Sequence, residues 1–141
     1  MSYKLDQNID LSPRTNATYF ASSVHRNRQP NKSQWVISVV QEVECFIESQ
    51  INNWIEGIFS WGMISDGNNL IVLGKSVYNE ELKLAKFVTK NDDGVWHGYP
   101  ADFCKNFQDR PGIKILQKWR NCGHIEKHHI TKIRQGKTCS L

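Results

Sequence analysis

The chain has 141 residues, 39% hydrophobic and 23% charged, a size and composition that fit one globular domain with its own core and exclude wholesale disorder. Eighteen Lys/Arg against fourteen Asp/Glu leave a formal net charge of +4. No run of 18 apolar residues is present, so no transmembrane helix is expected, and Met1 to Asp6 lacks the apolar stretch of a signal peptide.

Residues 1–33 are polar, broken by Pro13 and Pro30, and without hydrophobic period. They read as an irregular arm, with Tyr19, Phe20 and Val24 docking on the core and Arg26 and Arg28 near its end. Residues 34–60 place Trp35, Val39, Val43, Phe46, Ile47, Ile51, Trp54, Ile55, Ile58 and Phe59 at recurring steps of three and four. That spacing predicts one long amphipathic helix. Asn31 with Gln34 resembles a capping box at its start, and Gly57 is a candidate break. The β-branched run from Val36 to Val40 offers a strand as the alternative there.

Ser65-Asp66-Gly67-Asn68-Asn69 reads as a turn. Leu70 to Val77 reads as a strand. Leu82 to Thr89 alternates Leu82, Leu84, Lys86 and Val88 against Lys83, Ala85, Phe87 and Thr89, the period of a second. Asn91-Asp92-Asp93-Gly94 is a hairpin turn signal, and Val95 to Tyr99 is the return strand, stopped by Pro100. Residues 70–99 are thus expected to form a small antiparallel meander.

Residues 101–110 read as a loop. Asp109 before Arg110-Pro111 suggests a helix N-cap with proline in the first turn. The helix runs through Cys122, with Ile115, Leu116 and Trp119 inward and Gly123 as its stop. A second short helix spans Ile125 to Gln135, with Ile125, Ile130 and Ile133 inward and Gly136 closing it. The expected architecture is α+β: a long helix on an antiparallel meander, capped by a basic C-terminal helix pair over residues 110–136.

That cap carries the most pointed functional signal. Residues 1–104 hold nine Lys/Arg and twelve Asp/Glu, net −3; residues 105–141 hold nine Lys/Arg against only Asp109 and Glu126, net +7. Such segregation biases association toward polyanions or acidic partners. Two short helices joined at a glycine resemble a helix-turn-helix arrangement in outline, and Lys114, Lys118, Arg120, Lys127, His128, Lys132, Arg134 and Lys137 are the candidate nucleic-acid contacts. The bland alternative is a solvated helical face. Trp96, His97 and Tyr99 sit with Gly98 and Pro100 at a strand end, a position suited to stacking on a base or anchoring a partner, or else to the core.

Other chemistry has weaker support. Cys122, His124, His128 and His129 are zinc-ligand types, but Gly123 separates them onto two elements and no paired-cysteine motif exists, so no metal or cofactor is expected. His97 with Asp102, or with a C-terminal histidine, has the residue types of a metal-independent ribonuclease. No Gly-rich phosphate loop, G-x-S-x-G elbow or H-E-x-x-H is present. Cys45, Cys104, Cys122 and Cys139 are widely spaced, and without an export signal they are expected as reduced thiols in a cytoplasmic protein. Cys139 stands third from the end, one short of a prenylation motif. The leading expectation is a small intracellular protein that binds nucleic acid through its basic C-terminal helices. The second is a protein-interaction module, of the inhibitor or immunity type, engaging an acidic partner enzyme; the third is a small His-dependent nuclease.

Overall fold

A computed structural model of the chain describes residues 2–90 and 93–141. Among these residues the fold is mixed α+β. The strands are β1 (Asn8–Asp10), β2 (Thr18–Phe20), β3 (Gln34–Trp35), β4 (Ile55–Glu56), β5 (Phe59–Gly62), β6 (Gly74–Lys75), β7 (Glu81–Leu82), β8 (Leu84–Thr89) and β9 (Val95–Ala101). The helices are α1 (Val39–Ile51), α2 (Ile113–Asn121) and α3 (Lys127–Gln135), with 3-10 turns at Ser23–His25 and Phe107–Asp109. A six-stranded mixed sheet has the order β1-β2-β9-β8-β5-β4, and a three-stranded sheet has the order β3-β6-β7. No described helix is long and apolar enough to cross a membrane.

The expected helix over 34–60 is shorter at both ends. Its start is fixed at Ser38, whose hydroxyl accepts from Gln41 N at 3.1 Å while the Gln41 side chain accepts from Ser38 N at 3.0 Å. This capping box satisfies backbone groups that an isolated helix end leaves unpaired. Asn31 and Gln34 do not cap it; Gln34 and Trp35 form β3, and the alternative strand over Val36 to Val40 does not form, because Val39 and Val40 open α1. At the other end the Asn52 side-chain amide bonds back to Glu48 O, and Asn53 takes φ +55°, which ends the helix. Trp54 to Gly62 then folds into the β4–β5 hairpin around Gly57.

The N-terminal arm is also more ordered than its composition suggests. β1 and β2 pair antiparallel, and β2 runs parallel to β9 with Thr18 opposite Val95 and Tyr19 opposite Trp96. Tyr19 is fully buried, while Phe20 and Val24 are half-buried. Of the expected three-strand meander only the β8–β9 pair lies in the six-stranded sheet, where β5 takes the third place; the 70–77 segment contributes β6, which pairs with β3 and β7 instead. Asn91 and Asp92 of the anticipated hairpin turn lie outside the described residues; β8 and β9 on either side pair antiparallel. β9 continues through Pro100 because β2 pairs only with its first two residues, leaving the later part an edge where a missing N–H is tolerated.

Strand alternation divides the sheet into two faces. Phe87, Trp96 and Tyr19 meet α1, where Phe46 lies 4.8 Å from Tyr19, 5.2 Å from Phe87 and 5.7 Å from Trp96 between ring centroids. Glu42 of α1 is buried in the same layer; it accepts from the Tyr19 hydroxyl at 2.5 Å and from Arg26 at 2.8 Å. The opposite face carries Trp61, Lys86, His97 and Tyr99. It is covered by residues 102–112, and a second apolar cluster unites Trp54, Trp61 and Leu84 with Leu116, Trp119 and Ile133.

Asp109 does not cap a helix. It sits in the 3-10 turn, and its carboxylate accepts from the Tyr99 hydroxyl at 2.8 Å and from Asp102 N at 2.9 Å, with the Lys86 ammonium 3.9 Å away. The helix begins four residues later, with Gly112 at the N-cap. Ile115, Leu116 and Trp119 are buried as their spacing predicts. α2 ends in a Schellman motif: Gly123 takes φ +83°, His124 N donates to Trp119 O, and Gly123 N to Arg120 O. Gly136 closes α3 at φ +70°.

Replacing Asp109 by alanine strands a buried ammonium and frees Asp102 N and the Tyr99 hydroxyl. The expected loss is roughly 3 kcal/mol or more of unfolding free energy, read from urea denaturation. A loss below about 1 kcal/mol would show that the carboxylate is not the anchor of residues 102–110.

Candidate functional site

The eight C-terminal candidates are all exposed. Lys114 and Lys118 stand four apart on α2, Arg120 lies on its other flank, and Lys127 with Arg134 and His128 with Lys132 form adjacent rows on α3. Lys118 Nζ donates to Asn53 O at 2.9 Å. None of the seven Lys and Arg side chains makes an ion pair among the described residues; His128 lies 3.4 Å from Glu126. The neighbouring His129 is buried and used locally, its Nδ1 accepting from Glu126 N at 3.0 Å at the start of α3.

The metal-ligand types do not converge. Cys122 is exposed beyond α2, His124 packs edge-on against Trp54 at 5.8 Å, and His129 holds the start of α3. Among the described residues no three His, Cys, Asp or Glu side chains form a metal-sized group.

The strand-end trio separates by parity. Trp96 points into the core against Phe46 and is 7% exposed, so its ring is not available for stacking on a ligand. His97 and Tyr99 point the other way, into a polar cleft of about 370 Å³ that also takes in His25, Lys32, Asp102 and Asp109. His25 stacks on Tyr99 with ring centroids 5.5 Å apart and planes at 21°. Its Nδ1 lies 2.9 Å from Ser33 O. A carbonyl only accepts, so Nδ1 carries the proton and Nε2 of the neutral ring is the acceptor. The Ser33 hydroxyl donates to Pro100 O at 2.9 Å, pinning this segment to β9.

The cleft joins His97 with Asp102, one of the acid–base pairings anticipated from sequence, and adds His25. The C-terminal histidines do not line it. His25 and Lys32 were not anticipated as site residues. They come from the segment read as irregular, and no sequence spacing links them to β9. Burial lowers the pKa of both His25 and His97 from the ordinary 6.5, helped by Lys32 and Lys90 respectively and opposed by the Ser33 hydrogen bond at His25 and by Asp93 at His97. Both rings are therefore neutral at pH 7. Tyr99 is raised far above its usual range by burial and then by Asp109, so it stays a hydroxyl donor.

Comparison with protein-family models, with curated proteins and with solved structures finds no match for this chain. Function must therefore be inferred from the helix pair and the cleft themselves.

Because folding depresses both histidine pKa values, the folded state binds fewer protons than the unfolded chain near pH 6. The stability this confers is complete above about pH 6.5 and is lost as pH falls through the folded pKa values. Urea midpoints should thus drop between about pH 7.5 and about pH 5.5, and His25→Gln should shrink the drop. An equal drop in wild type and variant would remove His25 as a contributor.

Proposed function

We propose that the chain binds nucleic acid through the outward side of its C-terminal helix pair. The observation that carries this reading is that Lys114, Lys118, Arg120, Lys127, Lys132, Arg134 and Lys137 are exposed without a carboxylate partner among the described residues. Unneutralised cations within two short helices repel one another, and an array of phosphates relieves that repulsion while releasing condensed counterions. The rows on α3 give the array a direction along the helix. Trp96 is removed from the contact set by its burial, and Tyr99 lines the cleft beside His25, which α2 and α3 do not line, so base stacking is not part of this proposal. What remains is a phosphate-directed, sequence-tolerant contact.

A second reading, docking of an acidic protein, draws on Tyr78 and Phe107, which are 63% and 78% exposed. Lys105 lies over the Tyr78 ring at 5.5 Å, and Arg110 over the Phe107 ring at 5.2 Å. Aromatic groups flanked by cations are suited to anchoring a partner of opposite charge. In that case the charge surplus steers association, and nucleic acid is not the ligand.

Fluorescence anisotropy with labelled DNA and RNA across a salt series separates the two. The expected result is binding that weakens steeply with salt. The Lys127→Glu/Lys132→Glu double variant should bind about tenfold or more weakly on every sequence, with the magnitude of the log–log salt slope reduced by about two. Unchanged binding by the double variant, or no binding of the wild type at low salt, would overturn the proposal.

A further inference from the structure

A second cleft adjoins the one built on His25 and His97. It is lined by Arg26, Arg28, Lys32, Trp35 and Lys75, and it shares Lys32, Ser76 and Val77 with its neighbour, so the two clefts abut along these residues. None of its described lining residues is a carboxylate. Arg26 is committed to buried Glu42 and to Ile37 O. Lys75 is only loosely held, 3.8 Å from exposed Glu81. Arg28 and Lys32 are exposed and have no ion-pair partner among the described residues. Trp35 forms part of the same wall, and its buried indole N–H finds no acceptor among the described residues.

This cationic half is shaped in advance. Gln34 Oε1 accepts from Arg28 N at 2.8 Å, and Gln34 Nε2 donates to Val24 O at 2.9 Å and to Lys32 O at 3.3 Å. One side chain therefore fixes the loop that presents Arg28 and Lys32. Holding the loop beforehand lowers the ordering cost of binding an anion.

The other half has a different chemistry. His25 and Tyr99 make a stacked pair, and His25 and Asp102 bring acceptor groups to its lining, one Asp102 oxygen already taking Lys105 N at 3.2 Å. Acceptors of this kind suit amino and hydroxyl groups, not another phosphate, and the volume falls within the range of small-molecule sites. A cationic pocket beside a neutral, acceptor-lined pocket fits a ligand with a phosphate at one end and a planar or hydroxylated body at the other.

We propose that the abutting clefts around Lys32 bind a nucleoside phosphate, its phosphate at Arg28, Lys32 and Lys75 and its nucleoside in the pocket of His25, His97, Tyr99 and Asp102. The site is separate from the α2–α3 surface and does not depend on it. The same chemistry is presented by a free nucleotide and by the 5′-phosphorylated end of a strand.

Isothermal titration of the full chain with the four ribonucleoside monophosphates, the matching nucleosides and inorganic phosphate tests it. At least one monophosphate should bind with a Kd below about 1 mM and at least about tenfold more tightly than both its nucleoside and inorganic phosphate. Arg28→Glu/Lys32→Glu changes exposed side chains and should weaken that binding about tenfold or more, whereas Lys127→Glu/Lys132→Glu should leave it within about twofold. Asp102→Asn should shift preference among the four bases without abolishing the phosphate contribution. Competition by a 5′-phosphorylated oligonucleotide, but not by its 5′-hydroxyl counterpart, would identify a strand end as the source; absence of competition would identify the free nucleotide. No saturable monophosphate binding, or binding unchanged by Arg28→Glu/Lys32→Glu, would overturn the inference while leaving the helix-pair proposal standing.

Discussion

Residues 102–110 are held against the sheet by one buried electrostatic assembly, and both candidate surfaces depend on where that segment lies. Lys86 is the central cation. Its strand places it opposite Tyr99 and Trp61, with its ammonium over the Phe59 ring at 4.6 Å, donating to Gln108 O and facing Asp109. Burial lowers the pKa of the ammonium, and Asp109 acts against that shift. Taking both charges out of water is costly unless the remaining donors and acceptors are filled. The carboxylate accepts from the Tyr99 hydroxyl and Asp102 N, the ammonium donates to Gln108 O and lies over the Phe59 and Trp61 rings, and Trp61 Nε1 donates to Asp109 O at 3.0 Å. The assembly fixes the path of the segment more than it adds to net stability. Arg110, next in sequence, then donates to Phe103 O and to Arg134 O at the end of α3.

A second buried carboxylate does the same for the N-terminal side. Glu42 ties Tyr19 of β2 and Arg26 of the loop to α1, although burial pushes its pKa up against the pull of both partners. It adds a polar tie to β2, whose Tyr19 ring also packs on Phe46 and Phe87. With it, residues 18–37 are fixed, and His25, Arg28 and Lys32 acquire definite positions relative to β9. The two assemblies contribute walls to the two abutting clefts: Asp102, Asn106 and Asp109 line the first, and Arg26 the second.

Legibility from sequence tracked the range of each interaction. α2 and α3 were legible because their signals are local: apolar residues at steps of three and four, and glycines at the two stops. The span of α1 was misread because Trp54, Ile55, Ile58 and Phe59 happen to keep helical spacing while serving a hairpin. The deciding residues there, Ser38 and the Asn52-Asn53 pair, are weaker marks than a run of bulky side chains. β2 gave little signal because three residues, Thr18-Tyr19-Phe20, are too few to show a period, and its parallel partner lies far along the chain, Thr18 pairing with Val95. Asp109 ahead of Arg110-Pro111 carries a true helix-start pattern, overridden by a tertiary demand for a carboxylate beside Lys86. Exposure of the C-terminal cations was legible from helical spacing. The burial of Trp96 was set by strand parity, which assigned His97 and Tyr99 to the opposite face.

The two cationic surfaces arise differently, and the difference shapes what each recognises. On α2 and α3 the cations stand on long, exposed side chains along helical faces and do not enclose a ligand. Around Lys32 the cations stand on a loop fixed by Gln34 at the lip of a concavity, beside acceptors that discriminate among the groups a phosphate can carry. The first arrangement favours avidity, and the second favours identity. They share one mechanical element, because residues 102–110 supply Asp102 and Asn106 to the first cleft and brace α3 through Arg110. A change within the Lys86–Asp109 assembly therefore disturbs both surfaces together. Changes confined to exposed Lys or Arg side chains act on one surface at a time, which makes the functions of the two separable by experiment.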